Sequence, residues 1–226
     1  YRAACEAIGG LYIKLAPSST DCINFLEIRR RTLDVNAELT RTRTREDSLL
    51  ADKISRLHIY FSLLRRGLTE DEKSRLDVEL MRLYERFGIT RDNDSLYDEY
   101  GNLKPQPTPA DFYELLNERE ETKSLAGILS RFVNGSAANL GGETNVDMNN
   151  KYIVLDISEI GKELLPFGTL LAADICLDYC RISRAENKVV ILDEVWSLIG
   201  AGSNAQAAEF VLELFKTVRG YGASAI

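Results

Sequence analysis

Apolar residues in the middle of the chain recur at helical spacing, whereas those nearer its ends form short continuous runs. Between residues 50 and 132, four successive stretches place an apolar residue at every third or fourth position, and this spacing predicts four helices. Thr69 with Glu72 forms a capping box at the start of the second helix, and Thr108 followed by Pro109 begins the third. Such stripes are typical of helices that pack into a core.

The parts of the chain outside this middle region predict strands. Leu11–Leu15 predicts a short strand after a helix that Gly9–Gly10 ends. Tyr152–Asp156 and Val189–Asp193 are nearly continuous apolar runs, as expected for strands that are buried on both faces. A long helix is predicted between these two strands, from about Leu164 to Ser183, and a strand–helix–strand unit of this kind indicates a parallel sheet.

The alternation of strands and helices continues to the end of the sequence. A helix from about Ala205 to Val218 leads to a further strand that begins near Ala223. The simplest organisation is an α/β core, formed by residues 1–35 and 144–226, that is interrupted by a helical insertion at residues 36–143. Within the insertion, Thr90–Pro107 is rich in Asp, Asn, Gly and Pro, and it predicts a long surface loop.

Composition indicates an ordinary globular protein rather than a nucleic-acid binder. Of the 226 residues, 45% are hydrophobic and 28% are charged, and the formal net charge is −7. This negative charge excludes binding of nucleic acid by bulk attraction, so any such contact would need a local basic patch. Arg29–Arg45 is a basic segment, which we interpret either as a solvated connection or as a contact with phosphate or a partner subunit.

The four cysteines and the one histidine, His58, lack the spacing of a zinc site. Cys176 and Cys180 lie one helical turn apart, and we interpret them as small core residues in a protein of a reducing compartment. No apolar run reaches the ~20 residues that a bilayer-spanning helix needs. The abrupt start at Tyr1 and the apolar end at Ile226 lead us to expect a fragment of a longer protein.

One predicted strand ends in a pair of acidic residues. Val189–Leu192 is a run of four aliphatic residues, and Asp193 and Glu194 follow it directly, which is the Walker B pattern. Because ligands of open α/β sheets bind beyond the carboxyl ends of the strands, we expect Asp193 to hold Mg²⁺ and Glu194 to polarise the water that attacks the γ-phosphate of ATP. The alternative is a structural acidic residue at a strand end, and Asp156 is a competing strand end without an adjacent Glu.

The phosphate loop that such a site requires is absent from the sequence. The loop is Gly-rich and ends in Lys–Ser or Lys–Thr, but Lys73–Ser74, Lys123–Ser124 and Lys216–Thr217 have no such glycines before them. We therefore expect the loop to lie upstream of Tyr1. Arg219, at a predicted helix end, is expected either to reach phosphate in its own or a neighbouring active site, or to be a cation favoured by the helix dipole.

In several segments, the sequence resembles the conjugation ATPases of type IV secretion systems, the TraE/TrsE-like members of the VirB/TraC family. These segments span nearly the whole chain in the order of the family; they are Ala4–Gly10, Ile23–Ile28, Asp111–Leu116, Thr144–Asp147, Ile153–Ser158, Val189–Trp196 and Phe215–Gly222. Phe25 stands where the family usually has Pro, and we expect this difference to affect only a turn.

The resemblance implies a RecA-like P-loop NTPase core with an all-α insertion, and ATP and Mg²⁺ as cofactors. In this interpretation Asp193 binds the metal and nucleotide, while Glu194 and Arg219 are catalytic. The resemblance also implies a homo-oligomer, hexameric in related systems, at the cytoplasmic face of the cell membrane. Other type IV secretion components are the expected partners, with DNA as a further contact.

The expected activity is ATP hydrolysis that energises channel assembly and conjugative transfer. We expect a longer protein to have this activity, and the present chain alone to be inactive. Two alternatives stay open from the sequence. One is a DNA-translocating ATPase of the coupling-protein type, which tight, salt-dependent DNA binding would distinguish. The other is a non-enzymatic interaction module whose helices dock a partner and whose acidic pair is structural.

Overall fold

The computed structural model describes residues 1–29, 48–182, 187–193, 209, 212 and 215–226. These residues form six helices and four strands. In chain order they are α1 (Arg2–Ala7), β1 (Leu11–Lys14), α2 (Leu49–Leu64), α3 (Glu70–Arg86), α4 (Pro109–Asn117), α5 (Lys123–Val133), β2 (Ile153–Asp156), α6 (Leu165–Ile182), β3 (Lys188–Val190) and β4 (Ala223–Ala225). Short 3₁₀ turns occupy Asn93–Leu96, Glu120–Thr122, Ala138–Leu140 and Val218–Tyr221.

The strands form two parallel pairs, and the parallel direction agrees with the prediction, but β2 and β3, the two strands of the predicted strand–helix–strand unit, pair with β1 and β4 and not with each other. In the first pair Leu11 of β1 lies opposite Ile153 of β2, although more than a hundred residues separate them in sequence. In the second pair Lys188 of β3 lies opposite Ala223 of β4. Parallel partners require a long connection, and the helices α2 to α5 lie within the connection between β1 and β2.

The prediction that both apolar runs are buried on both faces is wrong for the described residues. All four residues of β2 are only half-buried. The side chains of Val189 and Ile191 are 63% and 72% exposed, so one face of the β3–β4 pair is open to solvent. An aliphatic run indicates that a strand is suited to burial on both faces, but it does not specify which part of the protein packs against each face.

The helix boundaries follow local signals that the sequence already contains. Thr69 and Thr108 each cap a helix, and in both cases the carboxylate of the acidic residue three positions later accepts a hydrogen bond from the backbone N–H of the cap. Gly9 adopts a positive φ of 72° after α1, a conformation that glycine adopts without strain. The predicted helix at 205–218 falls mostly outside the described residues, and helical residues appear in it at 215–217.

The segment Thr90–Pro107 contains more structure than the surface loop that its composition predicts. Leu96, in the first 3₁₀ turn, is 1% exposed and belongs to the core. Tyr97 and Leu103 pair as an isolated antiparallel bridge. Asp, Asn, Gly and Pro mark this segment as a place where the chain turns, but a buried leucine within it anchors the turn.

Four aromatic rings from distant parts of the chain meet in the core. Phe25 lies 5.4 Å from Tyr60 of α2, 5.7 Å from Phe132 of α5 and 5.2 Å from Phe167 of α6, measured between ring centroids. The expectation that Phe25 affects only a turn is wrong, because its side chain is fully buried at the centre of this cluster. The helices and the strand-bearing part therefore share one hydrophobic core.

The long helix α6 matches the predicted helix and packs deep in the protein. Its residues Phe167, Leu170, Leu171 and Ala173 are core residues. Cys180 is also in the core and Cys176 packs against it, while burial raises the pKa of the Cys176 thiol to about 12. Both cysteines behave as small apolar residues, as predicted. Within the described parts of the chain, no helix has the length and apolar character to cross a membrane.

Candidate functional site

Asp193 lies where β3 ends and its side chain is exposed. Backbone hydrogen bonds extend the pairing with β4 beyond the strand itself, from Ile226 N to Val190 O at 2.9 Å and from Leu192 N to Ile226 O at 3.0 Å. Asp193 therefore directly follows Leu192, the last residue in this extended pairing. This is the carboxyl edge of a parallel pair, where the sequence pattern places it and where ligands of α/β proteins bind.

Tyr1 brings the start of the chain to this edge. Its hydroxyl donates a hydrogen bond of 2.8 Å to Oδ2 of Asp193, although the two residues are 192 positions apart. A carboxylate can accept several hydrogen bonds, so this bond leaves Asp193 able to accept from a metal-bound water as well. The sequence contains no signal for this contact, because nothing in a single tyrosine specifies a partner so distant in the chain.

A magnesium–nucleotide complex fits a site with few protein carboxylates. Among the described residues, no group of three His, Cys, Asp or Glu side chains could hold a metal ion by themselves. Mg²⁺ usually keeps several waters and binds through one or two carboxylates together with the phosphates of the substrate. One exposed carboxylate at a strand end, such as Asp193, suits that role. Glu194, the predicted catalytic residue, lies outside the described residues.

Arg219 lies at the opposite edge of the β3–β4 pair from Asp193. It is exposed in the 3₁₀ turn Val218–Tyr221, which precedes β4. Ala223, the first residue of β4, lies opposite Lys188, the first residue of β3. Asp193 comes five residues after Lys188, which is a distance of about 16 Å along the strand at ~3.3 Å per residue. The structure therefore does not bring Arg219 and Asp193 together within one chain.

Asp156, the competing acidic strand end, is engaged in hydrogen bonds within the fold. Its Oδ2 accepts a short hydrogen bond from the hydroxyl of Tyr12 on the neighbouring strand, and its Oδ1 accepts one of 2.9 Å from the backbone N–H of Ser158. Burial acts to raise the pKa of Asp156, but the hydrogen bonds from Tyr12 and Ser158 hold it below its usual range. The hydrogen bond to Asp156 and burial raise the pKa of Tyr12 to about 12.

A buried charged cluster, which the sequence analysis did not predict, joins α2 to α6. Its members are Arg29, Lys53, Arg56, Asp174 and Asp178. Asp174 is completely buried and contacts both Lys53, at 3.2 Å, and Arg56. Arg56 also lies 2.8 Å from Asp178. Burial alone would raise the pKa of Asp174, but the cations of Lys53, Arg56 and Arg29 hold that pKa well below its usual range.

The interpretation of the basic segment Arg29–Arg45 as a solvated connection or a phosphate or partner contact is wrong for Arg29. Its side chain is only 8% exposed and its Nη1 lies 3.4 Å from Asp178, while Nη2 donates to the carbonyl oxygen of Asn24 at 2.8 Å. Arg29 is therefore neither a solvated connection nor a phosphate contact. The rest of that segment lies outside the described residues. The helical spacing of Asp174 and Asp178, four residues apart in an apolar helix, was the available signal for this cluster.

Comparisons with known proteins agree with this architecture. Residues 117–226 match the family model of the TraG P-loop domain. The solved structure of VirB4 of Thermoanaerobacter pseudethanolicus matches with a TM-score of 0.79 and 27% sequence identity, over 100% of this chain and 82% of that chain. No curated protein sequence is similar enough to count as a match. These likenesses confirm the predicted P-loop α/β fold with its helices.

Proposed function

We propose that this chain forms part of a motor that hydrolyses ATP to energise conjugative transfer, because its TraG-type P-loop region and its VirB4-like fold support a fragment of a conjugation ATPase of type IV secretion systems. The observation that carries this proposal is the exposed carboxylate of Asp193 at the carboxyl edge of two parallel strands. A nucleotide bound at this edge would lie next to Asp193, because ligands of α/β proteins bind beyond the carboxyl ends of the strands.

The residues after β3 divide the chemistry between them. Asp193 would hold Mg²⁺, and Glu194 would accept a proton from the water that attacks the γ-phosphate. The bound ion supplies neutralisation of the charge that develops on the phosphate oxygens. Tyr1 orients Asp193 through its hydrogen bond of 2.8 Å, so that the carboxylate does not have to be ordered when nucleotide binds.

Arg219 acts on the nucleotide of a neighbouring subunit in this proposal. Arg219 and Asp193 lie at opposite ends of the β3–β4 pair, so we assign Arg219 to an adjacent copy, to which an exposed arginine before β4 is available. In a ring, head-to-tail contacts present one edge of each subunit to a different edge of the next. An arginine supplied across such a contact stabilises the charge of the phosphoryl-transfer transition state. The proposal therefore includes a ring-shaped homo-oligomer, and the number of subunits that the family resemblance implies is six.

A Gly-rich phosphate loop completes the site in a longer protein that extends upstream of Tyr1. Residues 1–35 and 144–226 form the nucleotide-binding part, and residues 36–143 form an insertion between its strands. The assembly works at the cytoplasmic face of the cell membrane with other type IV secretion components, and the transferred DNA is a further contact. The net charge of −7 favours protein partners over bulk attraction to DNA.

Turnover and nucleotide binding, measured together in the upstream-extended protein, test the assignment. Glu194→Gln is expected to lower kcat by about a hundredfold or more while leaving the Kd for ATP within a few-fold of the parent, because general-base catalysis contributes about 10²–10⁴-fold. Asp193→Asn is expected to raise the Mg²⁺ concentration needed for half-maximal rate. Asp147→Asn, which changes an exposed loop carboxylate, is the matched control and should alter neither quantity.

Each alternative corresponds to a different result of this experiment. Full turnover by Glu194→Gln would remove Glu194 from its role. Absence of turnover in the extended parent, with nucleotide binding also absent, would favour a non-enzymatic interaction module. Turnover that requires DNA and declines steeply with salt would favour a DNA-translocating ATPase of the coupling-protein type.

A further inference from the structure

Charged residues form a stripe along one face of α6. Asp174, Asp178 and Arg181 are spaced by four and three residues, which places them on the same side of a helix. Each contacts a charged residue of α2: Asp174 meets Lys53, Asp178 meets Arg56, and Arg181 meets Asp52. The first two contacts are buried, whereas the third lies at the margin, with the side chains of Arg181 and Asp52 31% and 44% exposed.

Arg181 contacts a second element besides α2. Its Nη1 lies 3.3 Å from Oδ2 of Asp52, and its guanidinium carbon lies 5.7 Å from the centroid of the Tyr221 ring. The buried Nε of Arg181 has no hydrogen-bond partner within the described part of the chain. The guanidinium therefore contacts both Asp52 and an aromatic ring, and both contacts are of moderate strength.

The ring that Arg181 contacts belongs to the turn that carries Arg219. Val218 and Tyr221 are the two ends of this 3₁₀ turn, and Val218 is fully buried. Gly222, at a positive φ of 72°, then redirects the chain into β4. With Val218 fixed in the core, the position of Tyr221 sets the orientation of the short stretch between them, and Arg219 lies in that stretch.

We propose that Arg181 is a positioning residue that couples the helical segment to Arg219: Asp52 of α2 orients Arg181, and Arg181 in turn orients the Tyr221 side of the turn that presents Arg219. The proposal rests on the function proposed above, because it assigns Arg219 to a neighbouring nucleotide. A partner that shifts α2 would weaken the contact between Asp52 and Arg181, and the turn would then present Arg219 less well. Binding to the helices would in this way regulate hydrolysis without any contact with nucleotide.

The coupling is tested by a reporter at Tyr221 and a substitution at Asp52. Replacing Tyr221 with 3-fluorotyrosine gives one ¹⁹F signal at the ring, and Asp52→Asn removes the charge that holds Arg181 from α2. The variant is expected to shift or broaden that signal. In the upstream-extended protein it is also expected to lower kcat roughly two- to fivefold, which is the fold-change that corresponds to one exposed ion pair or cation–π contact, with KM for ATP unchanged and a change in melting temperature no larger than that of Asp71→Asn.

Asp71→Asn is the matched control, because Asp71 also lies in the first turn of a helix and forms an exposed ion pair, at 2.8 Å from Arg75. It should leave the ¹⁹F signal and kcat unchanged. Arg181→Gln should reproduce the effect of Asp52→Asn, and the two substitutions together should have no larger effect than Arg181→Gln alone.

The proposal is overturned if Asp52→Asn leaves the Tyr221 signal at its parental position, or if it lowers kcat only together with a fall in melting temperature larger than that of Asp71→Asn. If the extended parent shows no hydrolysis, the proposed function is wrong, and the ¹⁹F signal then decides the coupling alone: a shift with Asp52→Asn but not with Asp71→Asn supports it. The two failures are therefore distinguishable.

Discussion

The ammonium group of Lys53 lies 3.2 Å from the carboxylate of Asp174, and neither side chain is exposed to solvent. Charges in such a position have lost their hydration, and their mutual attraction offsets this loss only while both partners are present. Asp174 also contacts Arg56 and accepts a hydrogen bond of 3.4 Å from the hydroxyl of Tyr60. The two residues are therefore unequal, because Asp174 has further partners when Lys53 is removed.

This inequality predicts different costs for the two substitutions. Asp174→Asn leaves the buried Lys53 facing an uncharged amide, and we expect the free energy of unfolding to fall by about 3–5 kcal/mol. Lys53→Met keeps the length of the side chain and leaves Asp174 paired with Arg56, so we expect a loss below about 2 kcal/mol. Urea denaturation followed by circular dichroism measures both. Equal losses for the two variants would contradict the described partners.

The same lysine predicts a pH dependence of stability. Burial lowers the pKa of Lys53 to about 8 from its ordinary value of 10.5, with the neighbouring Asp174 opposing the shift. Between these values the unfolded chain carries a proton on Lys53 that the folded protein has released, so the contribution of this group to the free energy of unfolding rises with pH. Below pH 8 both states carry the proton, and the full cost of the buried charge is present.

Urea denaturation of the parent and of Lys53→Met at about pH 7.5 and about pH 10 checks this dependence. The parent should gain stability relative to the variant on going to the higher pH, because the variant lacks the titrating group. Parallel pH profiles for the two proteins would show that the pKa of Lys53 is the same in the folded and unfolded states.

Two glycines predict opposite effects of the same substitution. Gly127 lies in α5 with open space where a Cβ would be, so Gly127→Ala should raise the free energy of unfolding by about 0.5–1 kcal/mol. At Gly141 a Cβ would collide with the backbone carbonyl oxygen of Phe132, which cannot move away as a side chain would. Gly141→Ala should therefore cost about 2 kcal/mol or more. Thermal melting of both variants tests the pair, and a destabilised Gly127→Ala would contradict the first assignment.

Subunit mixing tests whether Arg219 acts across an interface. Arg219→Ala and Glu194→Gln should each abolish most turnover in the upstream-extended protein. When the two variants are mixed and allowed to reassemble, some interfaces pair an intact Glu194 with an intact Arg219 from the next subunit, so activity should return. Each variant remixed with itself is the control. Mixtures that stay inactive although the subunits exchange would mean that both residues serve the same site within one chain.

Features of this fold that depend on neighbouring residues were predictable from the sequence. Thr69 and Thr108 cap helices through partners three positions away, and Asp193 lies at a strand end because an aliphatic run stops there. The contact between Asp174 and Lys53 was not predictable, because the partners lie 121 positions apart and a lysine within a helix usually faces solvent. The same reason applies to the hydrogen bond between Tyr1 and Asp193.

Arg219 illustrates a second limit of sequence reasoning. Its place before a strand was correctly inferred, and in a parallel sheet that place is at the end opposite Asp193, but the sequence did not show that β3 and β4 are direct partners. The parallel register, with Lys188 opposite Ala223, supplies this information. The sequence analysis left open whether Arg219 reaches phosphate in its own active site or in a neighbouring one, and our proposal assigns it to the site of a neighbouring subunit.

The four-ring cluster around Phe25 restricts how the protein can be divided or moved. Its rings come from the loop after β1, from two helices of the connection and from α6, and each ring packs on at least one ring from another of these parts. Excising the connecting helices to make a smaller enzyme would leave Phe25 and Phe167 bare and invite aggregation. A bound protein that displaces those helices would also act on the strand-bearing part, because both contribute to this core.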